Sequence, residues 1–389
     1  MRAGTAGFIG QRLRDAREAR GLTQISLSEM LGISNRAVSQ YEKDLGSPHP
    51  DIMQKIPNIL NIPLSYFLTP INANEDINNT VFYRSMASAT VMARARGENK
   101  YKWLMMIANY LKEYIEFPKL SFPNFHFPND PLEITQDDIE ESASRLRKFW
   151  GLGDGPISNV TYLLENNGAF VSRMSLGADT LDAFSNWNDY DDRPYIILSP
   201  DKWSAARSRL DAAHELGHMI LHRNVSKDIL RNTPKFKVME TQAFKFAGAF
   251  LLPAMSFSED FIIPTLDSLI TLKNKLNVSI GAMLMRAKDL ELIDSEQSSR
   301  LWRYYARRGY KTKEPLDDII EPEKPELLKQ AMMVLVENNI QSRAQILSQV
   351  SLNEMDIEEI TSLPSGFFDC TPRVKTLSNV IPINKSRNY

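Results

Sequence analysis

Three of the chain's five histidines, His214, His218 and His222, fall at intervals of four residues within the single segment RSRLDAAHELGHMILH. The segment is rich in good helix formers and contains no proline, so a helix is expected over about residues 204–221. On a helix, residues four apart are rotated by about 40° and rise about 6 Å, which lets His214 and His218 grip one ion from the same face. Glu215 then stands beside that ion. The string from His214 to His218 is the pattern in which two imidazoles hold zinc and the glutamate serves as general base toward water. His222 lies about 80° round and about 12 Å along from His214, too far for all three rings to share an ion from an unbroken helix. It reads as a supporting or structural residue.

A catalytic zinc needs a third protein ligand and one open position. In the next expected helix Ala243, Phe246, Ala247, Phe250 and Leu251 form an apolar stripe that runs on to Pro253. Glu240 stands one turn before Ala243 on the same face, where a carboxylate is costly unless it meets a cation. The expected centre is therefore one zinc per chain on His214, His218 and Glu240, with Glu215 as the catalytic residue. Two imidazoles, a carboxylate and an open site suit zinc better than manganese. The single cysteine, Cys370, rules out an internal disulfide and a cysteine-built metal site, in keeping with a reducing compartment.

The first seventy residues follow another pattern. Phe8, Ile9, Leu13 and Ala16 recur at helical spacing until Gly21 stops the helix. Thr23 can cap a second helix over residues 23–30, with Leu27 and Leu31 inward and Gly32 in the tight turn. Ser34 can cap a third over residues 34–41. Val38 and Tyr41 would point inward, leaving Asn35, Arg36, Ser39 and Gln40 outward, all able to contact base edges or phosphates. Two more short helices are expected near residues 50–60 and 63–68, each opened by proline. A net charge of −2 exerts no global attraction on nucleic acid, so any DNA contact has to come from this local face.

Residues 72–80 are polar and rich in turn formers and read as a hinge. An amphipathic helical stretch is expected over residues 81–117, with Met92, Trp103, Leu104, Ile107, Tyr110, Leu111 and Tyr114 inward, and its basic residues Arg84, Arg94, Arg96, Lys100 and Lys102 read as a solvated face. Residues 118–134 hold four prolines and mark a second boundary, with His126 left outside the metal site. The acidic, proline-bearing run EPLDDIIEPEKPE reads as a linker, followed by a small helical unit over residues 325–363, taken as an interaction or dimer module, and a polar tail. No apolar run approaches the roughly 20 residues of a membrane span, and the start turns polar too early for a signal peptide, so a cytoplasmic location without membrane partners is expected.

The segment GLTQISLSEMLGISNRAVSQYEKDLGSPHPDIMQKIPNILNIPLSYFL resembles the XRE-type, lambda-repressor-like helix-turn-helix family along its whole length. The resemblance implies a five-helix domain in which Gln24 touches the DNA backbone and Asn35, Arg36, Ser39 and Gln40 enter the major groove of a double-stranded operator. One copy of such a motif reads a short half-site, so a homodimer is expected. The segment RSRLDAAHELGHMILH followed by ETQAFKFAGAFLLP resembles the ImmA/IrrE family of zinc metallopeptidases, a likeness that extends from about residue 80 to 300. It implies the same ligands, His214, His218 and Glu240, with Glu215 as general base, in a zincin-like fold with a small sheet. Leu210 and Asp211 depart from the family's usual aromatic and hydroxyl residues there.

The expected fold is mainly α, of α+β class, in four parts. Residues 1–70 form the helix-turn-helix domain, 71–134 a helical connector and proline-rich linker, 135–312 the metallopeptidase-like domain, and 313–389 a C-terminal helical module and tail. The function expected is a DNA-binding transcriptional regulator whose zinc endopeptidase domain cleaves a specific partner protein. The alternative is a non-enzymatic repressor or antitoxin that uses the metal fold to bind a ligand or cognate toxin.

Overall fold

The computed structural model describes residues 4–71, 90–177, 182–200, 204–226, 229 and 233–369. The expected hinge at 72–80, the helix start at 81–89 with Arg84, and the tail with Cys370 lie outside the described residues.

The fold is mainly helical with one small sheet. Helices α1 (Gly10–Ala19), α2 (Gln24–Leu31) and α3 (Asn35–Glu42) open the chain. Thr23 and Ser34 cap α2 and α3 by accepting the backbone N–H groups of Ser26 and Ala37 at 3.0 and 3.2 Å. Gly32, at φ 70°, makes the left-handed turn between them. The helix expected at 50–60 is broken into α4 (Pro50–Met53) and α5 (Lys55–Leu60). Pro57 has no N–H to give the carbonyl of Met53, and its ring crowds that carbonyl, so the helix cannot run through. Residues Leu64–Leu68 form a 3-10 turn rather than a full helix.

Helix α6 (Val91–Lys112) follows, with Trp103, Leu104, Ile107, Tyr110 and Leu111 buried as expected and Tyr114 half-buried. Met92, expected inward, is exposed, because its neighbour Ala93 takes the buried position in the first turn. The proline-rich stretch contains only the 3-10 turn Pro131–Glu133. It is more than a tether: Phe122 packs edge-on against Trp150 and Trp187, and the Trp150 indole donates to the Ser121 carbonyl at 2.6 Å.

Helices α7 (Gln136–Phe149) and α8 (Val160–Asn166) lead into strands β1 (Phe170–Arg173), β2 (Ala183–Asn188) and β3 (Arg193–Leu198). The sheet order is β1-β3-β2, with β1 parallel and β2 antiparallel to the central β3. This is the small sheet that was expected; β2 was not anticipated. Helices α9 (Ala205–Leu221), α10 (Thr233–Leu251), α11 (Ala254–Asp260), α12 (Leu266–Leu276), α13 (Ile280–Asp289) and α14 (Ser295–Arg307) complete this part. The C-terminal unit comprises α15 (Leu327–Glu337), α16 (Arg343–Val350) and α17 (Glu354–Thr361).

Side chains alternate across a strand, and the sheet serves two cores accordingly. Phe170, Phe184, Tyr195 and Ile197 join a core with Leu13 and Ala16 of α1, Trp103 and Ile107 of α6, Met332 and Leu335 of α15, and Ile357 of α17. Val171, Ala183, Ile196 and Leu198 face the other way, onto Ala212, Ala213 and Leu216 of α9 and Phe246 and Phe250 of α10. The helical ends of the chain thus meet on one side of the sheet, and the histidine helix covers the other.

The acidic run at 314–323 is not a loose linker. Glu314 accepts from Lys273 at 2.8 Å and from the backbone N–H groups of Ile280 and Gly281 at 2.9 and 3.1 Å, and Asp317 accepts from Lys273 and from the Ser204 hydroxyl at 2.7 Å. Glu323 receives the N–H groups of Val160 and Thr161 and pairs with the buried Arg209. These carboxylates sit where helix N-termini and a buried cation demand negative charge. Among the described residues no helix is long and apolar enough to cross a membrane.

Candidate metal centre

Helix α9 starts at Ser204, whose side chain accepts the Arg207 N–H, and its last turns carry the histidines under the sheet. Helix α10 crosses it closely at Gly217. A methyl group there would come 3.1 Å from both the Ala243 carbonyl oxygen and Phe246, so the glycine sets how near the two backbones approach.

That approach brings Glu240 to the two histidines. His214 Nε2 and His218 Nε2 lie 3.0 Å apart, and the Glu240 carboxylate is 3.3 Å from His218 Nε2 and 3.9 Å from His214 Nε2. The ligand atoms of the three residues all fall within 4.8 Å of one another. Atoms bound to one tetrahedral zinc at about 2.1 Å stand about 3.4 Å apart. The observed edges bracket that value, so this donor set fits such an ion. His214 and His218 are buried and Glu240 is half-buried, leaving the carboxylate side as the open one. Phe244 lies against the His214 ring, with centroids 4.3 Å apart.

Glu215 points back at the sheet. It is buried, and it accepts the Ser185 hydroxyl of β2 at 2.6 Å. On the far side of His218 the Nδ1 atoms of His218 and His222 are 3.0 Å apart, and His222 Nε2 lies 3.0 Å from the Gln242 amide oxygen. Burial, with His218 beside it, holds the His222 imidazole well below its ordinary pKa. Arg207 and Arg209 tie neighbouring segments to the helix: Arg207 donates to the carbonyls of Tyr310 and Lys311, and Arg209 to those of Ile157 and Ser158. His126 is exposed and outside the cluster.

Two segments match known families. Residues 13–67 match a helix-turn-helix family model, and residues 164–288 match the model of the IrrE N-terminal-like domain, a peptidase family. The chain joins a helix-turn-helix domain to an IrrE-like domain. It is similar to the HTH-type transcriptional regulator ImmR of Bacillus subtilis, 38% identical over 60 residues that make up 15% of this chain and 47% of that protein. Uncharacterized HTH-type transcriptional regulators of Sinorhizobium medicae and Rhizobium meliloti are each 37% identical over 59 residues, 15% of this chain and 42% of theirs. The chain therefore spans less than half the length of these relatives.

The IrrE-like match contains all three clustered residues and Glu215. In the helix-turn-helix domain, α3 turns Asn35, Arg36 and Gln40 to the outside, and Ser39 is half-buried. Gln24 is half-buried too, and its amide donates to Glu42 at 2.6 Å, joining the buried Arg17–Glu42 pair. Ser185 and Gln242 were missed by sequence reasoning. Neither belongs to a local motif, and the one available signal was that Gln242 stands one helical turn before Phe246 of the apolar stripe.

Proposed function

We propose that this protein is a DNA-binding transcriptional regulator whose IrrE-like domain is a zinc endopeptidase acting on a partner protein. The observation that carries the reading is the convergence of His214, His218 and Glu240 from two helices, with Glu215 adjacent, at spacings suited to one tetrahedral ion. Zinc, when bound, supplies Lewis acidity toward a carbonyl and toward water. The chain's own residues do the rest. His214, His218 and Glu240 hold the ion, and Glu215 takes the proton of the attacking water and returns it to the leaving amine. Ser185 fixes which Glu215 oxygen faces inward. In this reading residues 1–70 read DNA through Arg36, Asn35, Ser39 and Gln40, Gln24 lies near the backbone, and a homodimer spans two half-sites.

The experiment is zinc content and affinity of the full chain beside Glu240→Ala, with Glu215→Gln tested for cleavage. About one zinc per chain, lost in Glu240→Ala, with cleavage lost in Glu215→Gln while zinc stays, supports the reading. No zinc in the wild type sinks it. The near-complete burial of Glu215 favours a second reading, a repressor or antitoxin in which the centre is only structural. There Glu215→Gln leaves regulation intact while Arg36→Ala and Gln40→Ala abolish it.

A further inference from the structure

Gln242 is buried, and its amide nitrogen donates to the carbonyls of Pro131 at 2.7 Å and Ile134 at 3.1 Å. Carbonyls only accept, so these two bonds settle which way round the amide lies. Its oxygen then faces His222 Nε2 at 3.0 Å, and since that oxygen also only accepts, the proton belongs on His222 Nε2. His222 is fully buried beside an uncharged amide, where a second proton would carry a charge into the interior. Its Nδ1 is thus an acceptor. His218 Nδ1 lies 3.0 Å from it and must be the donor. Each link in this series takes its polarity from the one before, and the last one leaves His218 Nε2 without a proton, facing His214 and Glu240.

We infer that Gln242 and His222 are positioning residues that lock the His218 ring into the tautomer that presents a lone pair to the metal centre, anchored on the backbone of the proline-rich segment. This deepens the metal reading above and rests on it for its purpose. A metal-binding histidine ordinarily gives its second N–H to a carboxylate or carbonyl. Here a second imidazole takes that place and passes the polarity on to an amide whose orientation two backbone carbonyls hold. Freezing the tautomer before an ion arrives spares the cost of reorganising the ring on binding.

The test uses the full chain with nitrogen-labelled histidine, in which five imidazoles have to be assigned. Long-range proton–nitrogen spectra of the metal-free wild type are expected to show His218 protonated at Nδ1 and bare at Nε2, and His222 protonated at Nε2. A His218 proton on Nε2 overturns the inference. Gln242→Met and His222→Leu are each expected to mix the His218 tautomers and to weaken zinc by about 10- to 100-fold in chelator competition. The double variant should bind no more weakly than the worse single one, because the two residues act in series. Additive losses with an unmixed tautomer would assign them packing roles only and overturn the inference. A wild type with the expected tautomer that binds no zinc would uphold the lock and overturn the metal reading.

Discussion

The Ser185 hydroxyl donates to the Glu215 carboxylate across 2.6 Å, tying the edge strand of the sheet to the helix that carries the histidines. Both residues are buried, so the bond is made out of water's reach. Removing a donor from a buried charged acceptor costs about 1–3 kcal/mol. Ser185→Ala is therefore expected to lower stability by that amount in urea unfolding. Zinc content should be unchanged and partner cleavage slowed, because Glu215 loses its fixed orientation. Unchanged stability together with unchanged cleavage would show that Ser185 does not hold Glu215.

Gly217 is where the ligand-bearing helices touch. Alanine there gains about 1 kcal/mol of helix propensity but meets the Ala243 backbone and Phe246 at 3.1 Å, and such overpacking costs about 1–3 kcal/mol. The backbone of α10 has to move away, and Glu240 moves with it. Gly217→Ala is expected to weaken zinc at least tenfold in chelator competition, with a melting temperature equal to or below that of the wild type. A more stable variant with undiminished zinc affinity would mean the contact has slack.

Glu165 links pH to the C-terminal unit. Burial pushes its carboxyl up to about 7, against the backbone N–H groups of Leu327 and Glu326, which favour the charged form. In the unfolded chain the group titrates near 4.5. The folded state thus binds the extra proton between those values. This contribution to stability is fully present below about pH 4.5 and is lost as pH rises through 7, by at most about 1.4 kcal/mol per pH unit. Glu165→Gln should flatten the wild-type fall in urea midpoint between pH 5 and 8. An equally steep fall in the variant would place the titration elsewhere.

Arg20 fastens α1 to α17. Its guanidinium donates to both oxygens of Asp356, at 2.7 and 2.5 Å, and to the carbonyls of Leu60 and Asn61, while lying over Trp103. Arg20→Ala is expected to cost about 2 kcal/mol and to speed amide exchange in both helices. It leaves the outward residues of α3 in place, so intrinsic DNA affinity should hold. A loss below about 0.5 kcal/mol, as for a surface pair, would remove the fastening role.

Much of the fold could be read from local pattern. Thr23, Gly32 and Ser34 announce the first helices because caps and left-handed turns restrict residue type within a few positions. The histidine helix was legible because a period of four has one simple geometric meaning. Strand β2 was not: AFSNWN has no β-branched residue, and what makes it a strand is pairing with β3. Gln242 and Ser185 gain their roles from residues 108 and 30 positions away, at Ile134 and Glu215. The carboxylates at 314–323 looked like linker chemistry because composition cannot tell a solvated acid from one that receives a buried lysine.

Strand β2 also limits how the two halves can move. Phe184 and Asn186 meet α6 and its side of the sheet, Asn186 donating to Tyr101 at 2.6 Å, while the residue between them, Ser185, holds Glu215. Sliding the strand by one position would exchange its faces and turn Ser185 toward the wrong core, so any slip has to come in two-residue steps of about 7 Å. Such a step is too coarse for a graded working motion. Any displacement of the strand as a unit therefore carries the Glu215 anchor and the Tyr101 contact together, like two points on one rocker.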